Sequence, residues 1–269
     1  MPELPEVETT VKSLNILKNK KVINVDIHVK KLRYLVPHLG LKNIIDYKIK
    51  GLRRIAKYII IDFSNFKSVI IHLGMSGRLK IIKPNFALNK HDHLVFKFNN
   101  FKLIFNDPRR FGFVDIVNTE KISNISYIKK LGIDALDNTL SEDYLFNKFK
   151  SSQVFIKQLL LNQYIVAGIG NIYACEILYD AKISPLRKGC SLKRSHIGTI
   201  LKSTRKILRK AIKYGGSSIN DYVSPDGTLG NFQKNFKVYG REGYKIKGCE
   251  IKKVVLHGRS TFFCPDIQK

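Results

Sequence analysis

The sequence predicts an α+β protein in three parts: a sheet-rich N-terminal domain behind one helix, a mostly helical domain, and a short basic tail of hairpin character. Three observations predict it. Apolar residues recur at helical intervals at the start, strand-like runs separated by short polar breaks follow to about residue 120, and from about Ile125 the period turns helical again.

The opening helix rests on Val7, Val11, Leu14 and Leu17, behind prolines and glutamates that suit a helix's first turn. VINVDIHV then places Val25, Ile27 and Val29 on one face, and YIIID, SVIIHL, RLKII, HLVFKF, FKLIF and GFVDIV follow as further strands. In the second part SEDYLFNKFK, a run from Val154 to Gln163, another from Asn171 to Tyr179 and a basic one from Leu192 to Tyr214 predict helices. Between the second and third lies VAGIG, whose two glycines permit sharp turns close to a helix N-terminus. The expected boundaries are 1–120, 125–235 and 238–269, with no internal repeat and no linker longer than the GGSS at Gly215.

Composition narrows the function. Across 269 residues, 48 Lys plus Arg stand against 21 Asp plus Glu, a formal net charge of +27, and 44% of residues are hydrophobic. That apolar content builds cores and excludes a wholly disordered chain. The longest apolar runs stop far short of the roughly 20 residues of a membrane span, and the acidic N-terminus does not suit a secreted precursor. Four scattered cysteines make no disulfide scaffold, so a reducing, cytoplasmic compartment is the expectation. The positive excess attracts phosphate-rich partners through counterion release, although a membrane surface would respond to the same field and a Lys-, Ile- and Asn-rich coding bias explains part of it.

Removal of the initiator Met before the small Pro2 leaves a secondary amine beside Glu3. With a reference pKa of about 8, an α-amino group is neutral in on the order of 10% of molecules at pH 7, against less than about 0.1% for an ordinary lysine. Its addition to a sugar aldehyde gives a cationic iminium that acidifies the adjacent carbon for elimination. Taken alone, PELPEVET is also explained as a plain helix start.

The company of that segment is specific: MPELPEVETT, RRIAKY, HLGMSGRL, KHDH, NDPRRFG, GIGNIYACEILY and VYGREG occur in order along nearly the whole chain. Together they resemble the bacterial formamidopyrimidine-DNA glycosylases. The resemblance implies an N-terminal β-sandwich domain with an N-terminal helix, a helical domain with a helix-two-turns-helix element, and a C-terminal β-hairpin finger. It implies a bifunctional glycosylase and lyase acting on oxidised purines in double-stranded DNA, a monomer in the bacterial cytoplasm at the nucleoid. Pro2 matches the attacking proline, Glu3 and Lys57 the groups that move protons, and Arg259 the finger residue that assists δ-elimination. His91, Arg109, Lys150, Lys157 and Asn171 match DNA-contacting positions. Met75, Arg109 and Phe111 match the trio that fills the hole left by an everted base, and Ser224 to Gln233 the loop that closes over that base. No redox cofactor or nucleotide is required.

The resemblance also implies a finger zinc held by four thiolates, and here the sequence departs. The ligand positions are Ile246, Cys249, Cys264 and Ile267, with fourteen residues between the two cysteines and His257 the only histidine of the tail. Two thiolates do not make the closed tetrahedral site of structural zinc. The expectation is a hairpin held by apolar packing, in which Cys249 and Cys264 would join as a disulfide only under oxidising conditions. Two rival readings stay open: an endonuclease VIII-like enzyme for oxidised pyrimidines, and a DNA-binding relative without catalysis.

Overall fold

The structure is a computed structural model that describes residues 2–217, 225, 227 and 230–269. The chain divides into two compact units, one of residues 1–129 and 214–233, the other of residues 130–213 and 234–269.

In the first unit, helix α1 (Leu4–Ser13) is followed by β1 (Asn24–Ile27), a short α2 (His38–Lys42), seven strands and α3 (Ser126–Lys129). The strands are β2 (Ile49–Ile55), β3 (Tyr58–Phe63), β4 (Lys67–His72), β5 (Arg78–Ile82), β6 (Asp92–Lys97), β7 (Lys102–Asn106) and β8 (Phe113–Asn118). They form two four-stranded sheets ordered β1-β6-β7-β5 and β2-β3-β4-β8, every pairing antiparallel. Runs such as YIIID and SVIIH are β-branched on both faces, which suits strands covered on both sides. Ile59, Ile60 and Ile61 of β3 are accordingly all buried, as are Val69, Ile70 and Ile71 of β4. One apolar cluster takes Val7, Val11 and Leu14 from the helical start together with Ile59 and Ile71 from one sheet and Leu94 and Phe105 from the other. The helix therefore lies against the core on its Val7–Val11 stripe.

The second unit carries α4 (Glu142–Phe149), α5 (Ile156–Leu161), α6 (Asn171–Asp180), α7 (Arg194–Lys213) and a two-stranded pair of β9 (Ile133–Asp134) with β10 (Val166–Ala167). Helix α6 is apolar around most of its circumference, and seven of its ten residues are buried. The amphipathic α7 packs beside it, burying Ile197, Ile200, Leu201 and Leu208 while Lys202, Lys206 and Arg209 stay exposed. Two hairpins close the chain, β11 (Lys245–Ile246) with β12 (Cys249–Glu250) and β13 (Lys252–Leu256) with β14 (Arg259–Phe263). Their two-residue turns are Lys247-Gly248 and His257-Gly258, all four residues at positive φ, the geometry whose twist matches paired strands.

Candidate active site

The N-terminal segment is locked before any substrate is present. Pro2 and Glu3 are buried, and Glu3 is the N-cap of α1 in a capping box with Glu6. Glu6 is 1% exposed: its Oε2 accepts from the Glu3 backbone N–H (2.9 Å), and its Oε1 accepts from Ser217 N (2.7 Å) and Ser217 Oγ (3.0 Å). One carboxylate thus fixes the start of the chain to the segment at Gly216. That glycine is required, since it sits at φ +76° and a Cβ there would lie 3.0 Å from Glu6 Oε1.

Lys57 is 8% exposed in the two-residue turn between β2 and β3, after Ala56 at φ +51°. Arg54 shapes this turn by donating to the Ala56 carbonyl (2.9 Å) and to Glu8 (2.8 Å). Tyr58 pairs with His72 across β3 and β4. Burial, then Lys57, then Arg33 lower the His72 pKa from 6.5 to about 4. The neutral ring accepts from the Gly74 N–H through Nδ1 (3.1 Å), which leaves its proton on Nε2.

Gly74 opens the loop that presents Met75. The backbone there takes φ +64°, and a Cβ would meet Gly112 N and Phe111 C at 2.4 Å, so two loops touch main chain to main chain. Asp107, fully buried, holds both: Oδ1 accepts from Ser76 Oγ (2.6 Å) and Oδ2 from Gly112 N (2.8 Å), while Ser76 Oγ accepts from Arg109 N (3.2 Å). Met75 (41% exposed) and Phe111 (45%) remain open to solvent, and the Arg109 guanidinium lies 4.8 Å from the Phe111 ring centre. The structure therefore brings Met75, Arg109 and Phe111 to one cleft of about 570 Å³, also lined by Arg33, His72 and Arg110. The His91 carbonyl accepts from Asp107 N (3.1 Å), and its half-buried ring stands 6.4 Å from that of His93.

In the second unit, Gln163 staples the turn before α6 by accepting from Gly168 N (2.9 Å) and donating to the Ile169 carbonyl (2.8 Å). Asn171 then starts α6, and its Nδ2 donates to the Ser260 carbonyl (3.0 Å). Lys157 is 1% exposed, and its ammonium donates to the same carbonyl (3.0 Å) and to Thr261 Oγ1 (2.6 Å). It braces the hairpin strand here, because a buried ammonium needs hydrogen-bond partners inside the fold. Arg259, next to Ser260, is exposed at the start of β14, and Lys150 is exposed at the C-terminal end of α4. Glu176, on α6, accepts from the backbone N–H groups of Lys237, Val238 and Tyr239 (2.8, 2.9 and 2.9 Å), anchoring the chain where the tail begins. Burial raises its carboxyl above the ordinary range against those three donors. Of the expected Ser224–Gln233 loop, residues 224, 226, 228 and 229 lie outside the described residues.

The donors present in the tail do not fit the zinc that the resemblance implies. Cys249 and Cys264 are bonded to each other, Ile246 packs against an apolar cluster of Cys175, Val238, Ile251 and Phe262, and no group of three or more metal-ligating side chains occurs among the described residues. Sequence reasoning did not single out Glu6, His72, Ser76, Asp107, Gln163 or Glu176. HLGMSG and NDPRRFG held three of them in plain view, but their partners lie in other strands and loops.

The formamidopyrimidine-DNA glycosylase N-terminal domain profile matches residues 1–114, and that family's H2TH domain profile matches residues 131–223. A formamidopyrimidine-DNA glycosylase of Zymomonas mobilis is 45% identical over the full length of both chains, and one of Rickettsia canadensis is 42% identical over all of this chain and 99% of its own. A crystal structure of a Lactococcus lactis FPG mutant with DNA containing Fapy-dG superposes with a TM-score of 0.94 at 36% identity, with complete coverage of both chains. No helix among the described residues is long and apolar enough to cross a membrane. A capped helix start at Glu3, a cleft that gathers Met75, Arg109 and Phe111, and a match along the whole length all agree: the chain belongs to the formamidopyrimidine-DNA glycosylase family.

Proposed function

We propose that this chain is a base-excision repair glycosylase and abasic-site lyase that removes oxidised purines, formamidopyrimidines and 8-oxoguanine, from double-stranded DNA. The carrying observation is the N-terminal PELPEVET segment, folded as a buried helix start at the head of a chain matching the family end to end. Lactococcus relatives have been crystallised with Fapy-dG DNA and with abasic-site DNA.

The chemistry starts at Pro2 after loss of Met1. Pro2 N bonds to C1′ of the damaged nucleotide as the bond to the base breaks, and the nitrogen lone pair then expels O4′, protonated by Glu3, to open the sugar ring and leave a cationic iminium. Loss of a proton from C2′ expels the 3′ phosphate, and a second elimination expels the 5′ phosphate, leaving a one-nucleotide gap with phosphates on both flanks. Glu3 and Lys57 move the protons, and Arg259 assists the second elimination. Extruding the base costs a few kcal/mol of stacking and pairing, offset by insertion of Met75, Phe111 and Arg109. In support of that reading, the Arg109 guanidinium lies 4.8 Å from the Phe111 ring centre. His91, Lys150 and Asn171 serve the DNA backbone, and Lys157 serves it indirectly by bracing the hairpin. None of these steps needs a metal or redox cofactor. The enzyme acts as a monomer in the cytoplasm, at the nucleoid.

A second lesion class has an observation behind it, because the Lactococcus protein has also been crystallised with DNA containing an oxidised pyrimidine. Parallel excision from duplexes carrying 8-oxoguanine opposite cytosine and thymine glycol decides the order. Faster release of 8-oxoguanine is expected. Faster release of thymine glycol would overturn the purine reading, and binding without release or borohydride-trapped adduct on either duplex would leave a non-catalytic binder.

A further inference from the structure

Cys249 begins β12, opposite Ile246 across the first tail hairpin, and Cys264 directly follows β14, the strand that carries Arg259. Their Cα atoms are 6.1 Å apart, within the distance range of disulfides, and the two sulfurs are bonded. Both residues are buried, at 3% and 0% exposed. Ile246, which faces Cys249 across the hairpin, packs in an apolar cluster with Ile251, Phe262, Val238 and the Tyr239 ring, with Tyr239 edge-on to Phe262 at 5.2 Å. Burial of the two sulfurs disfavours a pair of uncompensated thiolates, and the isoleucine at position 246 supplies no further donor to hold a cation.

We propose that the tail is a metal-free finger in which Cys249 and Cys264 form a reversible covalent tie, closed by exchange with a low-molecular-weight disulfide and opened by thiol reductant. One thiolate attacks the small disulfide and releases one equivalent of small thiolate. The second cysteine then attacks the mixed disulfide and releases another, so two cysteine thiols and one small disulfide become one protein disulfide and two small thiols. Local opening of the tail admits the oxidant to the buried sulfurs. The closed tie joins the first hairpin to the base of the Arg259 strand, so the oxidation state of the surroundings sets how firmly Arg259 is presented. Oxidation state in this chain then takes the place of the zinc that the family resemblance implies for such a hairpin.

The test needs no DNA, so it stands or falls separately from the glycosylase reading. The full chain is expressed with added zinc, equilibrated with oxidised glutathione or dithiothreitol and freed of small molecules. It is then assayed for zinc, for thiols in denaturant, and for the rate of proteolysis within the tail. The expected results are no stoichiometric zinc in either form and, after oxidised glutathione, a Cys249–Cys264 disulfide in peptide mass mapping, with glutathione carried only by the exposed Cys190. Dithiothreitol should give four thiols, and tail cleavage should be about 100-fold slower in the oxidised form. A Cys249→Ser, Cys264→Ser double variant should be cleaved at the reduced rate under both conditions and ignore chelator. One tightly held zinc per chain that the double variant loses, Cys249 and Cys264 not linked to each other after oxidised glutathione, or equal cleavage rates in the two forms would each overturn the proposal.

Discussion

Asp107 is fully buried, and its two carboxylate oxygens hold Ser76 on one loop and Gly112 on another. Asp107→Ala would leave a buried hydroxyl and a buried backbone N–H without their acceptor, so a loss of about 2–4 kcal/mol in unfolding free energy is expected by denaturant titration. Because those loops carry Met75 and Phe111, base excision from an intact lesion should fall further than strand cleavage at a preformed abasic site, which has no base to extrude. Equal losses on both substrates would show that Asp107 does not act through the wedge. His72 makes a pH prediction whose sign is fixed by its lowered pKa. Between pH 6.5 and about 4 the unfolded chain takes up a proton at this residue while the folded chain does not. Its contribution to stability is therefore complete above pH 6.5 and declines as pH falls toward 4. Thermal unfolding at several pH values should show a shallower acid decline for His72→Gln than for the parent chain, and an unchanged slope would contradict the burial and charge argument.

At the scale of elements, helix termini carry the site. Helix α1 presents Pro2 through its capping box, and Glu6 extends that box to Ser217. Helix α6 presents Asn171 at its first turn and Glu176 farther along, so one helix touches both Ser260 in the hairpin and residues 237–239 at the start of the tail. Glu176→Gln keeps the size but weakens three charge-assisted acceptances, for an expected loss of about 1–3 kcal/mol. The loss should appear as faster hydrogen exchange at the amides of Lys237, Val238 and Tyr239 before it appears at α7. Uniform acceleration through the whole second unit would instead mean that Glu176 supports global stability alone.

Over the whole molecule, the net charge of +27 makes association with DNA strongly salt-dependent. If six to ten phosphates are neutralised, affinity for an undamaged duplex should drop by roughly 10³–10⁵ between 50 and 200 mM salt; a flat dependence would assign the charge to coding bias instead. The architecture was largely legible because its strands are short β-branched runs: YIIID, SVIIHL, RLKII, HLVFKF and FKLIF each became a strand. The expected helix from Val154 to Gln163 is shorter, Ile156–Leu161, because Phe155 bridges to Lys188 and Gln163 folds back onto the VAGIG turn. Strand β2 was missed since IKGLRRI alternates poorly, its basic residues turning to Asp62 and Glu8. In the site, the candidate reactive residues stand in sequence motifs, while those that hold them do not stand out: Asp107, Glu6 and Glu176 acquire roles only through partners far along the chain. What all of this supports is one covalent bond. Borohydride reduction during turnover, followed by proteolysis and mass spectrometry of the adduct, should place the deoxyribose remnant on the nitrogen of Pro2 as the mature first residue; a remnant on Lys57 or any other side chain would contradict the account.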